Sequence, residues 1–320
     1  MQIATRNSIP HPYSSACLAL SLLFFYTLAI ASAEFAETFN LTEIASGIFV
    51  HQGKHVSFES PGHDDIANIG FIVGDKCVAV IDTGGSVNVG RALLSAIEDV
   101  TSLPICFVIN THIHFDHLLG NIVFKKNGVQ FVGHLNLADE VAANRTFFLD
   151  QYSADLGDDP TQDSIVAPNL LVDGDMKIDL GNRTLTLTAH RSAHSHTDLT
   201  IYDPQTKTLW LSDLLFMQRV PSLDGSLKGW LSVLDQLKET SAERLVPGHG
   251  PSSVNPLSAM DAQRHYLDVL LLQTRQKIKE GLFMEEIVDS VGNGEQQKWL
   301  LFEQHHKRNI TRAFSELEWE

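Results

Sequence analysis

From residue 42 onward, short apolar runs broken by polar turns alternate with longer stretches of helical spacing. The segments "TEIASGIFVHQG" (42–53) and "IANIGFIVG" (66–74) read as short strands. "CVAVIDTGGS" (77–86) is a buried strand that runs into a Gly-Gly turn. "NVGRALLSAIEDV" (88–100) spaces its apolar residues as an amphipathic helix does. "ICFVINTH" (105–112) is a second buried strand. This strand–helix–strand order implies parallel pairing. It places the residues after 112 at the carboxyl end of a strand, where open α/β sheets bind ligands.

The second half repeats the theme. "VQFVGH" (129–134) precedes a helical stretch (135–152) and a polar loop, "SADLGDDPTQDSIVAP" (153–168), expected to border a site. Strands resume as "MKIDLG", "RTLTLTAH", "DLTIYDP" and "KTLWLSDLLF" (within 176–216), and a helix follows at 230–240. "RLVPGHGP" (244–251) ends in a Gly-rich loop, and helical segments cover 259–280 and 296–317. Strand-rich and then helical, twice over, predicts two β-sheets packed face to face with helices outside.

At 320 residues, 43% apolar and 19% charged, the chain has the balance of a globular protein with a full core. Its net charge of −16 argues against nucleic acid as a partner, because that binding relies on Lys and Arg neutralising phosphates. A small-molecule substrate is expected instead. Internal repeats and low-complexity tracts are absent from the sequence.

Residues 1–33 read differently: Arg6 is their single charged side chain, residues 16–31 are apolar, and "ASA" (31–33) offers a small-residue cleavage site. They are expected to form a secretory signal peptide, which would make the protein periplasmic or secreted, with no stable membrane anchor. The alternative is a retained anchor, since the apolar run approaches the lower limit for spanning a bilayer. Cys77 and Cys106 both lie beyond this segment in apolar strands. An oxidising compartment permits them to pair, but their surroundings favour two buried free thiols, and that is the expectation.

"NTHIHFDHLLGN" (110–121) packs His112, His114, Asp116 and His117 into six positions. A packed core would not choose so many groups that are costly to desolvate. In an extended loop His112 and His114 project to one side, while Asp116 and His117 turn away as a helix begins. One short stretch can therefore serve two adjacent metals, each zinc taking about four ligands with one position left for water.

Three further elements follow in order: "SAHSHTDL" with His194, "LWLSDLLF" with Asp213 and "VPGHGP" with His249. With the first motif, H-x-H-x-D-H, they resemble the metallo-β-lactamase superfamily. The resemblance implies a four-layer αββα sandwich of the α/β class over residues 34–255, with a helical extension (256–320) packed on the same domain. It assigns His112, His114 and His194 to a first Zn2+, and Asp116, His117 and His249 to a second, with Asp213 bridging. Iron or manganese could take the same positions. His194 is chosen over His196 because "AHSHTDL" fits the family's "AHTxGDL", with Asp198 on the motif's aspartate. Asp82, in "VIDTGG", would support the histidine loop through hydrogen bonds. The best-studied lactamases have cysteine where this chain has Asp213, so the resemblance is to the esterase, lactonase and thioester-hydrolase branches. His114, in place of Glu, separates the chain from the diiron oxygen-reducing branch.

"DIANIGFIVG", "LLFMQRVPSLDGSLKGWL" and "RNITRAFSELEWE" look like the exported quinoprotein relay system zinc metallohydrolases, a likeness running from about Phe39 to the carboxyl end. It implies association with a periplasmic quinoprotein system. The expected reaction is attack by a hydroxide, shared between two zincs about 3.5–4 Å apart, on an ester, lactone, thioester or amide-type carbonyl. Asp116 would also orient the nucleophile. Arg219 and Lys228 are candidates to anchor an anionic part of the substrate, with surface salt bridging an equal account of either. His51, His55 and His63 are candidates for the site's rim. His190 and His196 are placed outside the ligand set, and His305 and His306 are expected to face solvent. Two alternatives remain: a mononuclear iron oxygenase of the same fold, and a non-catalytic partner of the quinoprotein system.

Overall fold

The computed structural model describes residues 39–320, so the signal peptide expected at residues 1–33 lies outside the described residues. Strands β1 (Leu41–Ala45), β2 (Ile48–His51), β3 (Ile69–Val73), β4 (Val78–Ile81), β5 (Ile105–Ile109), β6 (Gln130–His134) and β7 (Leu170–Val172) form one sheet in sequence order. The first four run antiparallel to their neighbours, and pairing becomes parallel from β4 to β7. The change follows from connection length. Short turns join β1 to β2 and β3 to β4, a longer loop (52–68) joins β2 to β3, and helix α1 (Val87–Val100) crosses over between β4 and β5. Ser86 starts α1 by accepting a hydrogen bond from Val89 N with its hydroxyl. Next come the single turn α2 (Phe115–Leu118) and α3 (Leu137–Gln151).

Strands β8 (Asp175–Asp179), β9 (Thr184–Ala189), β10 (Leu199–Asp203), β11 (Thr208–Phe216) and β12 (Arg244–His249) form the second sheet, in the order β12-β11-β10-β9-β8. Helix α4 (Leu227–Lys238) provides the parallel crossover from β11 to β12. Helices α5 (Asp261–Lys279) and α6 (Phe302–Leu317) follow. Alternation along the strands divides the interior in two. Ile48, Ile72, Ile109 and Val132 of the first sheet meet Leu187, Ile201, Trp210 and Val246 of the second. On the other face of β11, Leu209 and Leu211 pack against Trp230 and Leu234 of α4, Tyr266 and Leu270 of α5, and Ile310 and Ala313 of α6. This is the four-layer α/β sandwich with carboxyl-terminal helices. Residues Asn40–Glu320 form one compact unit.

Two expectations are corrected. Cys77 and Cys106 form a disulfide with a Cα–Cα distance of 5.8 Å, not two free thiols. Parallel pairing of Val78 with Ile105 brings the two cysteines side by side, a register that neither strand discloses alone. His305 and His306 are buried instead of facing solvent. They lie on the apolar face of α6, where His306 bonds Tyr266 Oη and the Val291 carbonyl. No helix among the described residues is long and apolar enough to cross a membrane.

Candidate metal centre

Strand ends and the loops leaving them deliver most of the centre. Asp82 closes β4, and the loop leaving β5 carries His112 and His114 into α2, which supplies Asp116 and His117. His194 sits between β9 and β10, Asp213 lies within β11, and His249 ends β12. Asp82 and Ser212 adopt left-handed φ angles of 56° and 48°. Such conformations cost about 1–3 kcal/mol each and persist only where surroundings enforce them. Here both residues grip Thr111, next to His112. Gly248 is required for space, because a Cβ there would lie 1.9 Å from Asp213 Oδ1.

The side chains gather in two groups. His112, His114, His194 and Asp213 present ligand atoms within 4.8 Å of one another, and so do Asp116, His117 and His249. Asp213 joins the groups: Oδ2 lies 3.3 Å from Nε2 of both His194 and His249, and Oδ1 lies 3.2 Å from His117 Nε2. His196, two residues beyond His194, belongs to neither ligand group; it bonds Ser192 Oγ at the edge of the cavity. All of the gathered residues are buried except His114, which is partly exposed.

Each histidine turns one ring nitrogen outward to a protein oxygen, which assigns its tautomer. His117 Nδ1 donates to Asp82 (2.8 Å), His194 Nδ1 to the Ser222 carbonyl (2.6 Å) and His249 Nδ1 to the Ile66 carbonyl (2.7 Å). His112 Nδ1 donates to Thr111 Oγ1, which itself donates to Asp82. His114 Nε2 donates to Asp224 Oδ2 at 2.8 Å. The inward nitrogens then face one another as bare lone pairs, with His114 Nδ1 3.1 Å from His112 Nε2 and 2.9 Å from His194 Nε2. Lone pairs at that distance repel unless a cation lies among them. The buried atoms His117 Nε2 and Asp213 Oδ1 have no hydrogen-bond partner at all. Both features fit a metal, and imidazole with carboxylate is a donor set zinc accepts.

The electrostatics agree. Burial opposes charge on His117, but Asp213, Asp116 and Asp82 outweigh it and raise its pKa well above the ordinary value. Burial opposes charge on His114 too, and Asp224 overcomes it. His112 and His194 are held low by burial, His194 at about 3. Burial would also neutralise Asp213, yet His249, His117 and His112 keep its carboxyl well below the usual range. The site thus draws positive charge towards Asp213.

A cavity of about 510 Å³ opens onto His114, Asp116, Asp213 and His249. Arg219 also lines it, almost fully buried, with its guanidinium 5.4 Å from the Phe58 ring centroid and Nη2 3.3 Å from His305 Nε2. Lys228 does not reach it, because its ammonium pairs with Glu320 on the surface. His51, His55 and His63 are engaged elsewhere, with Asp65, Gln218 and Asp155 respectively. His190 is buried against Thr200. The loop 153–168 contributes no lining residue.

Further residues shape the centre, and of these only Asp198 stood out in the sequence. Asn68 donates to the Pro247 carbonyl, and its backbone N–H donates to the Gly248 carbonyl, which fixes the loop before His249. Asp224 anchors His114, and Arg308 and Arg312 of α6 both bond Asp224. Asp198 accepts from Ser195 N and Oγ and so shapes the turn that carries His194.

A two-sheet sandwich that gathers two ligand groups around one shared carboxylate defines a metal-binding α/β protein. The sequence profile described as the Metallo-beta-lactamase superfamily matches residues 63–249, and the chain belongs to that superfamily. Among solved structures, it is similar to a metallo-beta-lactamase from Pontibacter korlensis (21% identity, 72% of this chain, 99% of that one, TM-score 0.59). It is also similar to TMB-1 (16%, 72% and 96%, 0.56). A third likeness is to the stereoselective inverting sec-alkylsulfatase Pisa1 from Pseudomonas sp. (19%, 86% and 50%, 0.63). This chain spans about half the length of that sulfatase. At these identities the likenesses establish the fold. No curated protein matches.

Proposed function

We propose that the protein is an exported hydrolase that uses two zinc ions to cleave an ester, lactone, thioester or amide-type carbonyl. The observation that carries this reading is the meeting of two ligand groups at the buried Asp213. His112, His114 and His194 would hold the first ion, Asp116, His117 and His249 the second, with Asp213 between them. Bound there, zinc supplies Lewis acidity and a water acidified towards a pKa of about 7.

The chain's own groups do the rest. Asp82, Asp224 and the Ser222 and Ile66 carbonyls hold the imidazoles in the tautomers that present their lone pairs inward. Asp116 faces the cavity, where its carboxylate can orient the attacking water. Arg219 offers a buried positive charge to an anionic part of the substrate. Lys228 lacks that access, and we do not retain it as a substrate contact.

Carboxylate at position 213, where the best-studied lactamases have cysteine, supports a carbonyl hydrolase of the esterase, lactonase or thioesterase kind. The Cys77–Cys106 disulfide supports export, since such bonds persist in oxidising compartments. The likeness to quinoprotein relay system zinc metallohydrolases supports a periplasmic quinoprotein partner. The test is metal analysis of purified protein beside an ester, lactone, thioester and β-lactam panel. Two zincs per chain and turnover of a carbonyl substrate are expected. A stoichiometry of one that excess zinc cannot raise refutes the two-metal reading. One iron with oxygen consumption would establish the oxygenase alternative.

A further inference from the structure

The geometry points to an anion-binding subsite built by α6 beside the metal centre, and to a substrate that joins a flat apolar body to an acidic group. This rests on the hydrolase reading and adds its substrate class. Arg308 and Arg312 stand one turn apart on α6, line the metal cavity, and keep half of their side chains exposed. Both use Asp224 Oδ1, whose other oxygen is taken by His114. Two guanidiniums therefore share one carboxylate oxygen, and each has five N–H donors. Positive charge and donors are left over at the cavity wall.

Arg219 provides the second, independent observation. It is buried at the same cavity, its Nε has no hydrogen-bond partner, and it forms no ion pair with a carboxylate among the described residues. Asp116 and Asp213 act on it only through space, and a buried guanidinium that no carboxylate touches is costly unless something anionic meets it.

The cavity also has an aromatic wall. Phe115 stacks on Tyr152 with centroids 4.4 Å apart, Phe147 and Phe148 continue the surface, and Phe58 approaches Phe115 at 5.7 Å. Phe58 and Phe147 remain 44% and 54% exposed. Large apolar groups left open at a concave site suit a flat apolar ligand. Arg308 and Arg312 lie beyond the 63–249 segment that defines the superfamily, so this subsite belongs to the helical extension.

The experiment is calorimetric titration of the full chain, zinc-loaded and metal-free, with 2-naphthoate, 2-naphthylmethanol and acetate. Naphthoate should bind both forms, and the alcohol and acetate should each bind at least about tenfold more weakly. The R308Q/R312Q double variant should lose about 10–100-fold in naphthoate affinity, as expected for charge-assisted hydrogen bonds. Phe147→Ala should lose about 3–10-fold through lost apolar contact. Metal content and circular dichroism are read on every variant. If the double variant does not fold, the single R312Q variant takes its place.

Wild-type naphthoate affinity in a folded arginine variant overturns the proposal. Naphthoate binding confined to the zinc-loaded form also overturns it, because the carboxylate would then sit on metal. Naphthoate binding to a chain that takes up no zinc leaves the subsite standing and removes the hydrolase reading. Two zincs and turnover, with no preference for naphthoate over the alcohol, remove the subsite alone.

Discussion

Asp82→Asn isolates the support given to the metal loop. The native carboxylate is fully buried and accepts from Thr111 N (2.8 Å), Thr111 Oγ1 (2.7 Å) and His117 Nδ1 (2.8 Å). Asparagine has nearly the same shape and tolerates the left-handed backbone of position 82. It replaces one accepting oxygen with an NH2 group that faces donors, and it removes the charge. A hydrogen bond to a charged partner contributes about 1.5–3 kcal/mol. At 1.4 kcal/mol per decade that corresponds to a loss of about 10–100-fold in metal affinity, the range usual for residues that orient a ligand. The second site, which contains His117, should lose more than the first, which Asp82 reaches only through Thr111 and His112. Competition titration against a chromophoric zinc chelator resolves the two constants, and circular dichroism of the metal-free protein checks the fold. If both constants stay within about twofold of wild type, against that 10–100-fold expectation, the hydrogen bonds do not tune the metal and the argument fails.

His194→Ala should strip the first zinc and abolish hydrolysis, whereas His196→Ala, which loses a bond to Ser192 and a side chain at the cavity edge, should keep both zincs and measurable turnover. The reverse pattern in metal analysis would move the ligand two residues along. Reducing Cys77–Cys106, which closes a loop of 29 residues, should lower unfolding free energy by about 3–4 kcal/mol on the chain-entropy estimate; denaturation curves that coincide with and without reductant would contradict it. His190 should make the metal-free protein acid-sensitive, because burial lowers its pKa from 6.5 to about 4. Between those values the unfolded chain binds more protons, so this contribution is complete above pH 6.5 and declines as pH falls towards 4. From pH 6.5 to 5 it amounts to about 1.6 kcal/mol, and urea denaturation of His190→Gln at both pH values should show that much less pH dependence.

The sequence exposed the centre because its donors are local. His112 to His117 lie in one short stretch, His194 and His249 sit in or beside turns, and Asp213 is a lone carboxylate in an otherwise apolar strand, each readable by itself. The strand–helix–strand unit was legible for the same reason, since buried strands and an amphipathic helix leave period signatures. What depended on distant pairing was not legible. The disulfide needed the β4–β5 register, and β7 has only three residues. His305 and His306 fall on the helical stripe of Phe302, Ile310, Ala313, Phe314 and Leu317, so their burial was readable from spacing and was hidden only by the polarity of histidine. Asp224 drew no reading from the sequence, because its partners are 110 residues before it at His114 and 84 residues after it at Arg308.

Helix α6 does more than cover a sheet. Asn309 holds the 221–223 segment by donating to the Pro221 carbonyl and accepting from Leu223 N, while Glu316 accepts from Leu227 N and Ser226 Oγ. With Arg308 and Arg312 on Asp224, the helix fixes the loop whose Ser222 and Asp224 orient His194 and His114. Every ligand precedes α6 in the chain, so ribosomal synthesis finishes the donors before it makes the part that aims two of them. The aim of His114 and His194 therefore has to wait until this helix docks. A chain lacking its last helix would own every donor and still leave two of them unaimed, so the end of the sequence sets when the centre is complete.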